Sequence, residues 1–419
     1  MYLLYVSGVE RALLQSGLGF GLRYTTSGID DNRRIPGLAY ADDLLLMAES
    51  PRDMQSLLDI CANEMKKLGL RFNAQKTTVV QLAGKLVEGT VLRLGEEVLQ
   101  IASAVKYLGV NLCNGKDLYG LHEEKVGQTA LRAQCILRRR CLCNRFVMIR
   151  DLWKLVHVPA LTFGNAVVCL TAKGRDELER RQREVGRIAV GCHGTVANEA
   201  VQGELGWSSF AAREASSKLA FYNRLLHMHR DRWARRVFDY LSATCLRTQW
   251  TRRVHHLKQK NGLIRDPMLA QSIGAYAKAV QQRVRDVEES SIKATRLYDN
   301  SVGSALLFEA RAGALRTLTR QRAFDSTVTC VLCRSCGKSD ETIEHLVLQC
   351  DELGESESQT ALAVALGFED TEGEVQAAAV SRTKRRLEQW RTATQQCRRL
   401  PTASVEDRGG SIRDSVCAP

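Results

Sequence analysis

The stretch Tyr40-Ala41-Asp42-Asp43 constrains this chain more than any other, because two adjacent carboxylates stand between an apolar approach, Ile35-Pro36-Gly37-Leu38-Ala39, and an apolar run, Leu44-Leu45-Leu46-Met47-Ala48. Apolar flanks of this length call for buried strands, and an Ala-Asp-Asp step tolerates the tight backbone that joins them. The segment therefore predicts a β-hairpin with its acids at the tip. Neighbouring buried carboxylates are costly unless a cation meets them, and a divalent metal is the usual partner. In two-metal phosphoryl chemistry such acids hold Mg2+ ions that stabilise the attacking and leaving oxygens together. Taken alone the tetrapeptide fits a solvated turn better, so its neighbours decide.

Residues Asp53 to Leu68 carry Met54, Leu57, Leu58, Cys61, Met65 and Leu68 at helical spacing, which predicts an amphipathic helix with one core-facing stripe. Gly69 ends it, and Leu70-Arg71-Phe72-Asn73-Ala74-Gln75-Lys76-Thr77-Thr78 leads to Val79-Val80 and another strand. Further on, Val105-Lys106-Tyr107-Leu108-Gly109-Val110 reads as a short apolar strand broken by one glycine.

This order resembles the reverse transcriptases of non-LTR retrotransposons, where a Y-x-D-D hairpin precedes a helix, a G-L-x-x-N-x-x-K-T segment and a Y-L-G-V strand. Gln202-Gly203-Glu204-Leu205-Gly206-Trp207 is similar to the C-terminal region of such elements, particularly those of arthropod genomes. The resemblance implies that Asp42 binds Mg2+, with Asp43 as its less critical neighbour. It also implies that Tyr40 lies near the primer terminus or incoming nucleotide, and Lys76 near the triphosphate. The partners it implies are an RNA template and a DNA target or primer.

One departure from the family pattern matters. The family carries a further metal-binding aspartate on an upstream strand, separated from the hairpin by a Q-G-x-x-L-S-P segment. Here Met1 to Glu10 resembles the helix just after that segment, so the reading is of an N-terminally truncated enzyme. The acids before Asp42 are Glu10, Asp30 and Asp31, the latter two expected in a polar turn, Ser27 to Asn32. Phosphoryl transfer takes positioning and charge stabilisation from a protein and little else. A chain with one carboxylate cluster is therefore expected to be inactive alone.

A second signal lies near the other end. Cys333-x₂-Cys336-x₈-His345-x₄-Cys350 supplies three thiolates and one imidazole, a closed set suited to structural Zn2+. Gly337 relieves the turn after the second cysteine, and the spacing resembles the CCHC zinc knuckle downstream of the polymerase in the same elements. Cys330 offers a competing pair with Cys333, and the glycine after Cys336 favours Cys336.

Charge is uneven. Residues 131–260 hold 25 Lys and Arg against 10 Asp and Glu, more than the whole-chain excess of +13. Arg138-Arg139-Arg140 and Arg232-x₂-Arg235-Arg236 are its densest runs, and such helices fit a surface tracking a phosphate backbone. The interspersed Trp153, Trp207, Trp233 and Trp250 read as core. Cys141-x-Cys143 reads as packing, and Cys192-His193 as a loop without an orienting acid. Fourteen cysteines scattered through a long chain fit reduced thiols plus a zinc site, in the nucleus or cytoplasm. No secretory signal or membrane-spanning run is evident, so the chain reads as neither secreted nor membrane-bound.

The expected fold class is α+β and mostly α, a partial right-hand polymerase palm followed by helices and a small knuckle. The expected segments are the C-terminal part of the palm (1–115), a helical thumb (116–170) that Val158-Pro159 breaks, a basic helical linker (171–325), the knuckle (326–352), and a helical segment with a disordered tail (353–419). Two alternatives remain: a non-catalytic, zinc-containing nucleic-acid-binding protein, and a helical scaffold.

Overall fold

The computed structural model describes residues 7–26, 29–31, 33–84, 89–115, 117–140, 145–263, 273–287, 298–299, 301–355, 360–368 and 373–397. The expectations for Met1 to Val6, for Cys141 and Cys143, for the side chain of Arg140 and for the tail from Pro401 lie outside them. The described chain is mostly helical with six two-stranded sheets, in keeping with α+β.

In chain order, α1 (Ser7–Gln15) precedes β1 (Phe20–Gly21), β2 (Tyr24–Thr26), β3 (Ile29–Asp31), β4 (Arg34–Ile35), β5 (Gly37–Tyr40) and β6 (Asp43–Leu46). Then come α2 (Pro51–Lys67), β7 (Thr78–Val80), β8 (Arg93–Leu94), β9 (Glu97–Val98), β10 (Gln100–Ala102), β11 (Ala104–Tyr107) and β12 (Val110–Cys113). The rest is helical: α3 (Gly120–Arg140), α4 (Arg145–Leu152), α5 (Val158–Leu161), α6 (Ala172–Val190), α7 (Asn198–Leu205), α8 (Phe210–His227), α9 (Trp233–Ala243) and α10 (Gln249–Lys260). Last are α11 (Ile273–Val287), α12 (Val302–Arg311), α13 (Leu318–Arg322), α14 (Leu362–Ala365) and α15 (Gly373–Cys397).

Two compact units form. The first takes residues 1–129, 161–178 and 210–289. In it α2 starts as its sequence dictates: Ser50 accepts a hydrogen bond from the Asp53 N–H, and Pro51 fills the first turn, where a missing N–H costs nothing. Gly69, at φ +71°, turns the chain out, as expected. The inward stripe Leu57, Cys61 and Met65 packs on Val9 and Leu13 of α1, and the partly buried Leu44 and Leu46 of β6 lean on the same cluster. Elsewhere in this unit α8, α10 and α11 share a core of Leu219, Val254, Leu257, Tyr276 and Val280. Asp30 and Asp31, expected in a polar turn, lie on β3 instead, because Thr25 and Tyr24 of β2 pair with them.

The second unit takes residues 130–160, 179–209 and 290–419. Val158-Pro159 does not break its helix. A π turn, Trp153–His157, closed by the Val158 N–H on the Trp153 carbonyl, sits just ahead of Pro159 and lets the helix run on into α5. Every residue of α12 from Gly303 to Ala310 is buried, the polar Ser304 and Glu309 included. It packs Leu306, Leu307 and Ala310 into one cluster with Cys333, Leu346, Val347, Leu348, Cys350, Val380, Leu387 and Trp390.

Candidate functional site

The expected hairpin is present. β5 and β6 pair antiparallel from Gly37↔Leu46 to Tyr40↔Asp43, which leaves Ala41-Asp42 as a two-residue loop. Such loops need a positive φ to match the strand twist, and Ala41 supplies it at +52°. Asp42 thus sits on the loop and Asp43 opens β6, both exposed, while Tyr40 is 64% exposed. The strands themselves are less buried than their apolar sequence implies. Among the described residues no third strand joins β5–β6, and Leu38 stays 37% exposed.

Asn73 organises the next motif. Its carboxamide oxygen accepts from the Lys76 N–H at 3.1 Å, and its carbonyl accepts from the Thr77 hydroxyl at 2.9 Å, which fixes the turn carrying the exposed Lys76 side chain. Among the described residues, the side chains of Asp42, Asp43 and Lys76 have no hydrogen bond or ion pair.

The segment expected as one strand broken by a glycine is a second hairpin. β11 and β12 pair down to Tyr107↔Val110, and Leu108-Gly109 turn the chain at φ +45° and +85°. Burial, and then the negative charge of Asp43, push the Tyr107 phenol above its ordinary value. β7 lies between the two hairpins, with Val79 packed in one cluster with Leu46 of β6 and β7 in contact with β11. Gly109 has a second reason to lack a side chain, since an added Cβ would lie 2.7 Å from the ring of Phe163.

Residues 20–112 match the family of reverse transcriptases (RNA-dependent DNA polymerases). The span runs from β1 into β12 and takes in both hairpins, α2 and the Asn73–Lys76 turn. No curated protein matches the chain. The matched segment is thus the part of the chain in which the acidic tip, the lysine turn and the Tyr107 hairpin occur together.

The metal centre predicted from spacing is also assembled. The ligand atoms of Cys333, Cys336, His345 and Cys350 all lie within 4.8 Å of one another, with Cys333 Sγ to Cys350 Sγ at 3.9 Å and Cys336 Sγ to His345 Nε2 at 3.3 Å. Tetrahedral Zn–S bonds of about 2.3 Å place two sulfurs about 3.8 Å apart, so these residues fit zinc. Gly337, at φ +66°, makes the turn after Cys336. The four-residue gap between His345 and Cys350 is bridged by a π turn, His345–Gln349, with the Cys350 N–H on the His345 carbonyl at 2.8 Å. Burial, then the neighbouring Cys333 and Cys336 sulfurs, push the Cys350 thiol up to about 12. A divalent cation among the sulfurs reverses that penalty. Cys330, the competing thiol, is outside the cluster and is disulfide-bonded, a departure from reduced thiols throughout; nine other described cysteines are free.

This centre is welded into the second unit. Arg386 of α15, 4% exposed, donates to the carbonyls of Leu346, Cys350 and Glu355. Glu341, fully buried, accepts from the Arg334 guanidinium and from the backbone N–H groups of Arg334 and Leu318, and Arg334 stacks 5.3 Å over Trp390.

The basic runs divide. Arg138, Arg139 and Arg232 are exposed. Arg235 is bonded twice to Asp239 and to the carbonyls of Leu225 and Leu226, and Arg236 is 4% exposed and bonded to Asp231. Trp153 and Trp207 are core, as expected. Cys192-His193 does have an acid nearby: Glu309 accepts the His193 N–H at 3.2 Å, and the ring lies 3.5 Å from its other oxygen. Burial, then Glu309, push the Cys192 thiol up to about 12, away from the thiolate form that a nucleophile needs. Glu204 of the Gln202–Trp207 motif is buried 3.7 Å from Arg311. Both pairs join α12 to residues more than a hundred positions earlier in the chain, and no local signal announces them.

Proposed function

We propose that this chain is part of a non-LTR retrotransposon reverse transcriptase, acting in RNA-templated DNA synthesis. The observation that carries the reading is the reverse-transcriptase match over residues 20–112, which falls on the acidic hairpin, the Lys76 turn and the Tyr107 hairpin together. In this reading Asp42 is the Mg2+ ligand and Asp43 its less critical neighbour, hard oxygen donors on an exposed tip with no hydrogen-bond or ion-pair partner among the described residues. Tyr40 flanks the primer end, and Lys76, held by Asn73, meets the triphosphate. Mg2+ bound there supplies charge stabilisation to the reacting phosphoryl group. Cys333, Cys336, His345 and Cys350 hold a structural zinc, and the exposed Arg138, Arg139 and Arg232 meet nucleic-acid phosphates.

Among the described residues, no third acid gathers with Asp42 and Asp43. That observation favours a second reading, in which this polypeptide by itself binds RNA or DNA without catalysing synthesis. Primer extension with purified protein, Mg2+ and dNTPs separates the two. No incorporation is expected from this chain alone; incorporation that vanishes in Asp42→Ala would restore the catalytic reading.

A further inference from the structure

The loop between α5 and α6 is held with unusual force for a surface connection. Lys218 of α8, 0% exposed, donates to the carbonyls of Asn165 and Val168, both at 2.5 Å. Trp250 of α10 donates its indole N–H to the Ala166 carbonyl at 2.8 Å, and Glu123 of α3 accepts from the backbone and hydroxyl of Thr171 at 2.6 and 2.7 Å. A buried ammonium group is costly, and Glu214, 3.5 Å from Lys218 and doubly bonded to Arg253, offsets part of that cost.

This scaffolding does not hide the loop's aromatic residue. Phe163 is 56% exposed, and its ring lies against Gly109 at the turn of the β11–β12 hairpin, one step beyond Tyr107. Gly109 carries no side chain where a Cβ would strike the ring, so loop and hairpin fit each other as built. Leu108, 39% exposed, and Lys106, also exposed, lie on the same hairpin.

We infer that Phe163 is a stacking surface for a nucleobase of the strand brought to the Tyr40–Asp43 hairpin, with Lys218 and Trp250 as positioning residues that keep the ring in place. The inference rests on the reverse-transcriptase reading and adds to it the group that receives the base. The chemistry selects the occupant. A solvent-facing ring offers a flat π face, the surface on which single strands stack their bases. A stable protein partner needs about 1,000 Å² of interface, far more than one ring and one leucine offer.

The test uses the full chain and a fluorescein-labelled DNA primer annealed to an RNA template, read by anisotropy. Phe163→Ala is expected to weaken binding about 5- to 100-fold, with thermal stability unchanged because the ring is exposed. Phe163→Trp is expected to restore affinity and to add to the emission of the five native tryptophans a component that the oligonucleotide quenches more strongly than it quenches the wild-type protein. A primer with an abasic 3′ nucleotide is expected to weaken the wild type and leave Phe163→Ala unaffected. Wild-type binding with an alanine variant within twofold of it would overturn the stacking role and leave the nucleic-acid reading standing. Absence of any wild-type binding would overturn both.

Discussion

Ala41 stands at φ +52°, a conformation that costs a residue with a Cβ about 1 kcal/mol, and it does so beside the two acids. Ala41→Gly is expected to raise stability by about 1 kcal/mol in urea denaturation, because glycine enters that region freely. Glu214 carries the opposite kind of strain, a buried carboxylate. Burial would raise its pKa, but the bonds from Arg253 and the charge of Lys218 outweigh it, and the net shift is downward from 4.5. A depressed acid contributes stability that is complete above its unfolded value and is lost as pH falls through the lower, folded one. Stability of the first unit should therefore hold above about pH 4.5 and decline below it, and Glu214→Gln should flatten that decline in thermal melts taken across pH. Lys218→Met leaves two carbonyls and Glu214 without their cation, and is expected to cost roughly 3 kcal/mol.

The elements show where a sequence is legible and where it is not. The acidic hairpin, α2 and its glycine stop follow from local pattern, since strand alternation, helical spacing and capping residues all act within a few positions. The zinc ligands follow from spacing, because chelation needs particular atoms at particular separations. The two π turns do not follow, as no hydrophobic period marks an extra residue in a turn. Nor does the burial of α12, whose apolar run is masked by the basic sequence around it and whose partners Glu204 and His193 lie far back in the chain. The metal centre had been expected as a separate module, yet Arg386 and Trp390 of α15 close directly upon it. Chelation is accordingly expected to melt α12 and α15 together with the knuckle, at a cost on the order of 10 kcal/mol. Far-UV circular dichroism and protease cleavage within α15 would register this, and an unchanged spectrum after zinc is stripped would count against it.

At the scale of the whole molecule, an excess of 13 positive charges favours polyanions, but the arginines are not equivalent. Arg236 is occupied inside the fold, so Arg236→Ala should lower stability by about 2 kcal/mol and change RNA affinity only through misfolding. Arg138→Ala and Arg139→Ala should leave stability within about 0.5 kcal/mol and each lower the slope of log affinity against log salt by about 1. Filter binding over a salt series distinguishes these outcomes. The β5–β6 ribbon carries one more consequence. Among the described residues no further strand flanks this pair, a half-finished surface whose outer amides and carbonyls can zip onto an extended backbone that arrives. In concentrated solution the nearest such backbone belongs to another copy of this chain, so the ribbon that carries the acidic tip also gives the molecule a way to stick to itself.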